Sequence, residues 1–276
     1  MSEQVDSQAE QEPEMSFLDH LEVLRWHIIK SLASIVFFGI LAFIFHGIIF
    51  DKILLAPKSP DFFTNKLLCD FGKLIGSESI CINNKPFQII SIEMAGQFSA
   101  HISVSIVAGL ILAFPYIFWQ FWSFVQPALY NTEQRHARGA VFWSSLLFML
   151  GVLFGFYLIV PLSVHFLGSY NVSDQVVNQI SLISYISTVT SVVLAAGVIF
   201  ELPILIFFLA KAGLVTPQFL RNYRKHALVV ILIVSAVITP PDVFSQILVS
   251  GPLFLLYEAS IVITKNIERK ERDLLV

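Results

Sequence analysis

Val198-Ile199-Phe200-Glu201-Leu202-Pro203-Ile204 is an apolar run broken by one acid and one proline. Glu201 is the sole charged residue between Asp174 and Lys211. A carboxylate near a bilayer centre costs about 2.5–3.5 kcal/mol on insertion scales, so it marks a functional position when it persists there. Pro203 has no N–H to donate to the carbonyl of Ile199, which predicts a kink beside the acid.

The surrounding chain fits that reading. Of 276 residues, 56% are hydrophobic and 13% are charged, whereas a soluble domain carries about 25% charged residues. The apolar residues come in long runs instead of alternating at a period of 2 or 3.6, so they face lipid and not one water-solvated core. The expected fold is an all-α membrane protein of six kinked transmembrane helices. Residues 16–264 make up the membrane domain, between a disordered acidic tail over 1–15 and a basic tail over 265–276. Met1 to Met15 holds five acids and no base, the reverse of a secretory signal.

Ser16 and Asp19 read as a helix start. Phe17, Leu21, Leu24 and Ile28 then share a face, which predicts an amphipathic segment along the membrane surface leading into a first span from Ile28 to Phe50. A polar loop follows over 51–87. The second apolar stretch runs from Ile89 to Val125, with the span proper starting near His101. The third span covers Gly139 to Val164 and the fourth Leu182 to Ala210. The fifth, Ala227 to Thr239, is short, and the sixth, Val243 to Thr264, follows Pro240-Pro241-Asp242. Short final spans predict a concave shape that thins the bilayer or is sheltered by neighbours. A re-entrant hairpin over Ala227 to Thr264 is the alternative.

Six spans put both termini on one side, and the basic residues choose the cytoplasm. Arg25, Arg135, Arg138, Arg221, Arg224, Arg269 and Arg272 then all fall inside, while outer lysines occur only in the long first loop. That loop also carries Cys69 and Cys81, the only cysteines. In an oxidising compartment they can form a disulfide, with two free thiols as the alternative.

Catalytic and metal chemistry is not indicated. The chain has no phosphate-binding Gly-x-x-x-x-Gly-Lys-Ser/Thr loop, no His-Glu-x-x-His and no Gly-x-Ser-x-Gly. Its seven histidines are scattered, and His20 and His27 read as solvated interfacial residues. Gly151 and Gly155 permit a close helix contact inside the subunit. No cofactor, metal or nucleic acid is expected. What remains is a set of acids: Glu22 and Glu133 at cytoplasmic membrane edges, Glu201 and Glu258 within spans, and Asp242 at the outer edge. Carboxylates accept paired donors from a guanidinium, so edge acids suit a basic ligand.

Four segments carry a resemblance. They are His20-Leu21-Glu22-Val23-Leu24-Arg25, Phe124-Val125-Gln126-Pro127-Ala128-Leu129-Tyr130 ahead of Glu133, Phe200-Glu201-Leu202-Pro203, and Thr239-Pro240-Pro241-Asp242-Val243-Phe244-Ser245-Gln246. In this order the chain resembles the TatC family, the multispanning core of the twin-arginine protein translocase, from Phe17 to Thr264. The resemblance implies a non-enzymatic receptor in the bacterial inner membrane. It would bind twin-arginine signal peptides of folded cargo, form homo-oligomers, and assemble with single-span TatA- and TatB-type partners. The proton-motive force would drive export.

Carried over, signal-peptide binding falls on Glu22, Leu24, Arg25, Phe124, Pro127, Leu129, Tyr130 and Glu133. Glu201, Pro203 and Gln246 become intramembrane partner-docking candidates, and Pro57 and Asp242 outer-edge structural ones. Val23 departs from the pattern, because the family usually has glutamate there. A proton-coupled secondary transporter is the competing expectation; it would also keep intramembrane acids, but no internal repeat is evident.

Overall fold

A computed structural model describes residues 17–76, 81–83, 88–125, 137–173, 175, 178–239 and 243–274. The expectations on residues 1–15, Pro127, Leu129, Tyr130, Glu133 and Asp242 lie outside the described residues.

Helix α1 (Phe17–Ile44) runs unbroken for 28 residues. The expected surface segment does not separate from the first span. No glycine or proline falls between Phe17 and Phe38 to interrupt the hydrogen-bond ladder, so one rod passes straight through Ile28. Beyond α1 the chain forms a π turn (Ile48–Leu54) and a 3-10 turn (Ala56–Lys58). Helix α2 (Phe63–Ile75) follows, ended by Gly76 at φ +74°, the left-handed conformation that glycine adopts without a Cβ clash. Strand β1 (Ile89–Ile90) pairs in parallel with β2 (Ile180–Ser181) and ties two distant connections together at one end of the bundle.

Helix α3 (Gly96–Val125) packs along α1. Helix α4 (Ala137–Phe154), a π turn (Gly155–Ile159) and α5 (Val160–Ser169) make a continuous third rod. Helices α6 (Leu182–Ile199) and α7 (Leu202–Lys211) meet at a break over Phe200 and Glu201, where the proline predicted it. Helix α8 (Pro217–Asn222) begins at Thr216, whose hydroxyl accepts from the Phe219 N–H. Helices α9 (Arg224–Ile238) and α10 (Val243–Leu274) complete the chain.

Five segments are long and apolar enough to cross a membrane: Leu21–Ile44, Gly96–Val125, Gly139–Ser169, Leu182–Lys211 and Ser245–Arg269. Helix α9, at 15 residues, reaches about 23 Å against a hydrocarbon core of about 30 Å. The expectation of a short sixth span is corrected, since α10 extends for 32 residues. Its apolar part ends near Thr264, but Lys265, Glu268 and Arg269 are good helix formers and carry the same helix onward.

Helix α6 lies at the core, packed by α3, α4, the π turn over Gly155–Ile159, α5 and α9. Val189, Val192, Val193 and Ala196 are buried there with Phe148, Ile159 and Val249. Two glycine contacts set the spacing. A Cβ on Gly109 of α3 would lie 2.7 Å from the Ile35 carbonyl of α1, and one on Gly151 would lie 2.6 Å from the Ala196 carbonyl of α6. Gly151 and Gly155 thus serve packing within the subunit.

Candidate functional site

At the amino-terminal end of the bundle, α1 and α3 run antiparallel. His27 Nδ1 lies 2.6 Å from Gln120 Oε1, and the His27 ring meets the edge of Phe124 at 6.2 Å. This contact brings Glu22, Leu24 and Arg25 to the same end as Phe124. Glu22 and Arg25 are exposed and Leu24 is half-buried. Val23 is also exposed at 37%, so the residue in the family's usual acid position faces the surroundings and not the core. His27 is not a merely solvated histidine: it is half-buried and holds α1 against α3. Gln120, buried in α3, gave no signal in the sequence, because only the fold reveals that it faces His27.

Mid-helix, the break before α7 turns Glu201 toward α4. Ser144, fully buried, donates its hydroxyl to Glu201 Oε2 at 2.8 Å. Oε1 is shielded from solvent and has no hydrogen-bond partner among the described residues. The backbone bends without strain, since the Glu201 N–H turns to the Val198 carbonyl and the Glu201 carbonyl accepts from Ile204 and Leu205. Pro203 is buried at the start of α7, where its missing N–H is one of the helix's orphan donors.

Between the last two helices, Gln246 donates its amide to the Leu232 carbonyl at 3.1 Å. Its nitrogen is therefore engaged inside the subunit. Arg224, at the start of α9, donates to Glu258 Oε2 of α10 at 2.6 Å, and the Tyr257 hydroxyl donates to the Leu220 carbonyl at 2.7 Å. Glu258 is consequently a paired acid linking α9 to α10.

The opposite end is a polar knot. Pro57 is fully buried, and its carbonyl accepts from Asn65 Nδ2 at 3.0 Å and Asn83 Nδ2 at 3.2 Å. Asn83 also donates to the Pro161 carbonyl at 3.3 Å, and Thr64 donates to the Tyr157 carbonyl. Asn83 sits at φ +55°, a left-handed position that asparagine tolerates. Cys69 and Cys81 are joined in a disulfide. Asn65 and Asn83 were not visible as site residues in the sequence, where each is one polar residue in a polar loop. Beside the knot an apolar cavity of about 800 Å³ opens between the π turn (Ile48–Leu54), the chain from Ala56 to Phe63, α3, the third rod and α6.

Among the described residues no three His, Cys, Asp or Glu side chains gather as metal ligands. The arrangement is an apolar helical frame with exposed charges at one end, a half-buried acid bonded to Ser144 midway, and a stapled knot at the other. It defines a multi-pass membrane protein that works by binding.

The comparisons give that class a family. Residues 19–252 match the family model "Sec-independent protein translocase protein (TatC)". The chain is 37% identical over 260 residues to the TatC protein of Blattabacterium sp. subsp. Periplaneta americana, covering 94% of this chain and 98% of that one. It is 33% identical over 261 residues to TatC of Aquifex aeolicus, covering 94% and 99%. A crystal structure described as the twin arginine translocase receptor TatC matches with a TM-score of 0.65 at 34% identity, covering 89% of this chain and 98% of that one. The chain belongs to the TatC family and is a component of a Sec-independent protein translocase, not an enzyme.

Proposed function

We propose that the chain is the signal-peptide receptor and core subunit of a twin-arginine translocase in a bacterial inner membrane. The observation that carries this reading is the end of the bundle where α1 meets α3. There Glu22 and Arg25 stand exposed beside half-buried Leu24, with Phe124 placed by the His27–Gln120 contact. An exposed acid next to apolar surface suits a peptide with arginines followed by an apolar stretch, because a guanidinium gains from a carboxylate near a low-dielectric boundary. Pro127, Leu129, Tyr130 and Glu133 come within nine residues after Phe124 in sequence and are assigned the same peptide-binding role in the proposal.

Both termini face the cytoplasm in this reading, and α9 serves as a short fifth of six spans. The charges support it: with that orientation every arginine of the chain falls on the cytoplasmic side. Folded cargo crosses with single-span TatA- and TatB-type partners and a further copy of this chain, driven by the proton-motive force. Glu201 and the free oxygen-bearing edge of half-buried Gln246 lie beside the intramembrane face proposed for a partner helix, and buried Pro203 shapes that face by breaking the helix. Pro57 and Asp242 hold the outer edge.

The test is export of a twin-arginine reporter. Glu133→Ala abolishes export and Val23→Glu preserves it, because Val23 points outward and an acid there restores the family's usual charge. Normal export by Glu133→Ala would overturn the assignment.

A further inference from the structure

Helix α2 is inside out for a water-exposed loop. Its polar residues Thr64 and Asn65 are buried, at 5% and 1% exposure, while Phe63, Leu67, Phe71 and Leu74 are exposed at 66%, 57%, 56% and 84%. These four recur at helical spacing and form one stripe. At about 100° per residue the 13-residue helix has three sides. Thr64, Asn65 and Gly72 turn to the protein, the apolar stripe occupies a second side, and Lys66 and Lys73 share a third.

We propose that α2 is an interfacial anchor, with its apolar stripe seated among the acyl chains of the phospholipid leaflet at the Pro57 end. Three observations select lipid as the occupant. First, the stripe is continuous with the membrane-spanning surface: Phe63 meets the ring of Tyr157 on the third rod at 6.4 Å. Phe62 and Phe63 also line the mouth of the apolar cavity between the spanning helices. Second, both lysines lie on the flank away from the protein, as in helices that lie in a membrane surface with cations at headgroup depth. Lys66 and Lys73 do pair with Asp61 and Asp70, at 3.1 and 3.8 Å, but these pairs are exposed and contribute little, so phosphate can compete for the ammonium groups. Third, the helix is held at a fixed height. Asn65 ties its first turns to Pro57 and Ser59, and the Cys69–Cys81 disulfide ties its middle. The anchor depends on the membrane-spanning reading of the helices and is independent of which peptide binds at the other end.

The experiment uses the full chain in vesicles of phosphatidylethanolamine and phosphatidylglycerol, with a trace of phosphatidylcholine carrying a diazirine in its acyl chain. After photolysis, mass spectrometry maps the adducts. Adducts on Phe63, Leu67, Phe71 or Leu74 are the expected result. A double variant, Leu67→Asp with Phe71→Asp, should lower α2 labelling roughly tenfold while adducts on α1 persist. Both positions are surface-exposed, and a retained disulfide, read by the absence of alkylation without reductant, shows that the loop still folds. Labelling of α1 without α2, or oxidation of the stripe by hydroxyl radicals in intact vesicles as fast as in the denatured chain, would overturn the anchor.

Discussion

Glu201 shows how one carboxylate persists in an apolar helix. Ser144 satisfies one oxygen, and the break over Phe200 and Glu201 lets the side chain reach α4 without distorting it. A glutamine can still accept from Ser144, so Glu201→Gln should retain most export activity and helper-partner assembly. Glu201→Leu leaves the Ser144 hydroxyl without that acceptor, at a cost of about 1–3 kcal/mol, and should weaken co-purification of single-span partners; equal loss in both variants would show that an ionisable group is required. Asn83 supports a second comparison at this scale. Its amide bridges Pro57 and Pro161, and its φ is +55°. Asn83→Gly removes the bridges but keeps the backbone relaxed, whereas Asn83→Ala adds strain of about 1 kcal/mol. Alanine should therefore lower the melting temperature more than glycine, and the reverse order would sink the account. The sequence made Glu201 conspicuous because a charge stands out in an apolar run. It hid Asn83, Asn65 and Gln120, because a polar residue becomes a tie only when the fold brings a distant carbonyl or ring to it.

The helices followed their local grammar where that grammar was strong. Pro203 ended α6 as a missing donor must, and Gly151 with Gly155 let α4 approach α6. Boundaries set by charge were less faithful. The basic tail expected over 265–276 holds no helix breaker, so α10 runs on into it as far as Leu274. Leu21 and Ile28 suggested a surface segment, but a helix entering a bilayer need not bend where its composition changes. Glycines at crossings give a sharp test. A Cβ at Gly109 meets backbone of α1 at 2.7 Å, which cannot yield as a side chain can, whereas a Cβ at Gly39 rests 3.5 Å from the Ser105 carbonyl in ordinary contact. Gly109→Ala should force α1 from α3 and cost about 1–3 kcal/mol, while Gly39→Ala should be neutral. Thermal unfolding in detergent checks this, and equal tolerance of both would show that the crossing relaxes.

Across the whole molecule the two ends are built on opposite principles. The end with Glu22, Arg25 and Phe124 keeps its charges exposed, which suits the signal-peptide surface proposed there. The Pro57 end is over-tied: a disulfide and an asparagine bridge close the α1–α3 connection on itself, the β1–β2 pairing joins it to the α5–α6 connection, and Asn83 ties it to Pro161 of α5. Helix α1 alone, at 28 residues, separates these ends by about 42 Å. No described charge network runs that length, so the ends should respond independently to local change. Cys81→Ser tests this division. Opening the loop restores chain entropy worth roughly 3 kcal/mol in the loop-closure picture, and that loss falls on the segment the disulfide closes. Amide exchange across Phe63–Ile75 should then accelerate, with little change in α6, whose buried cluster takes in Leu54 but no residue of the segment 69–81 that the disulfide closes. Binding of a twin-arginine peptide at the far end should stay within about twofold of the parent, a difference of about 0.4 kcal/mol. A matching loss of peptide binding would mean that the rigid spans couple the stapled end to the receptor surface, and the frame would then have to be read as one cooperative unit.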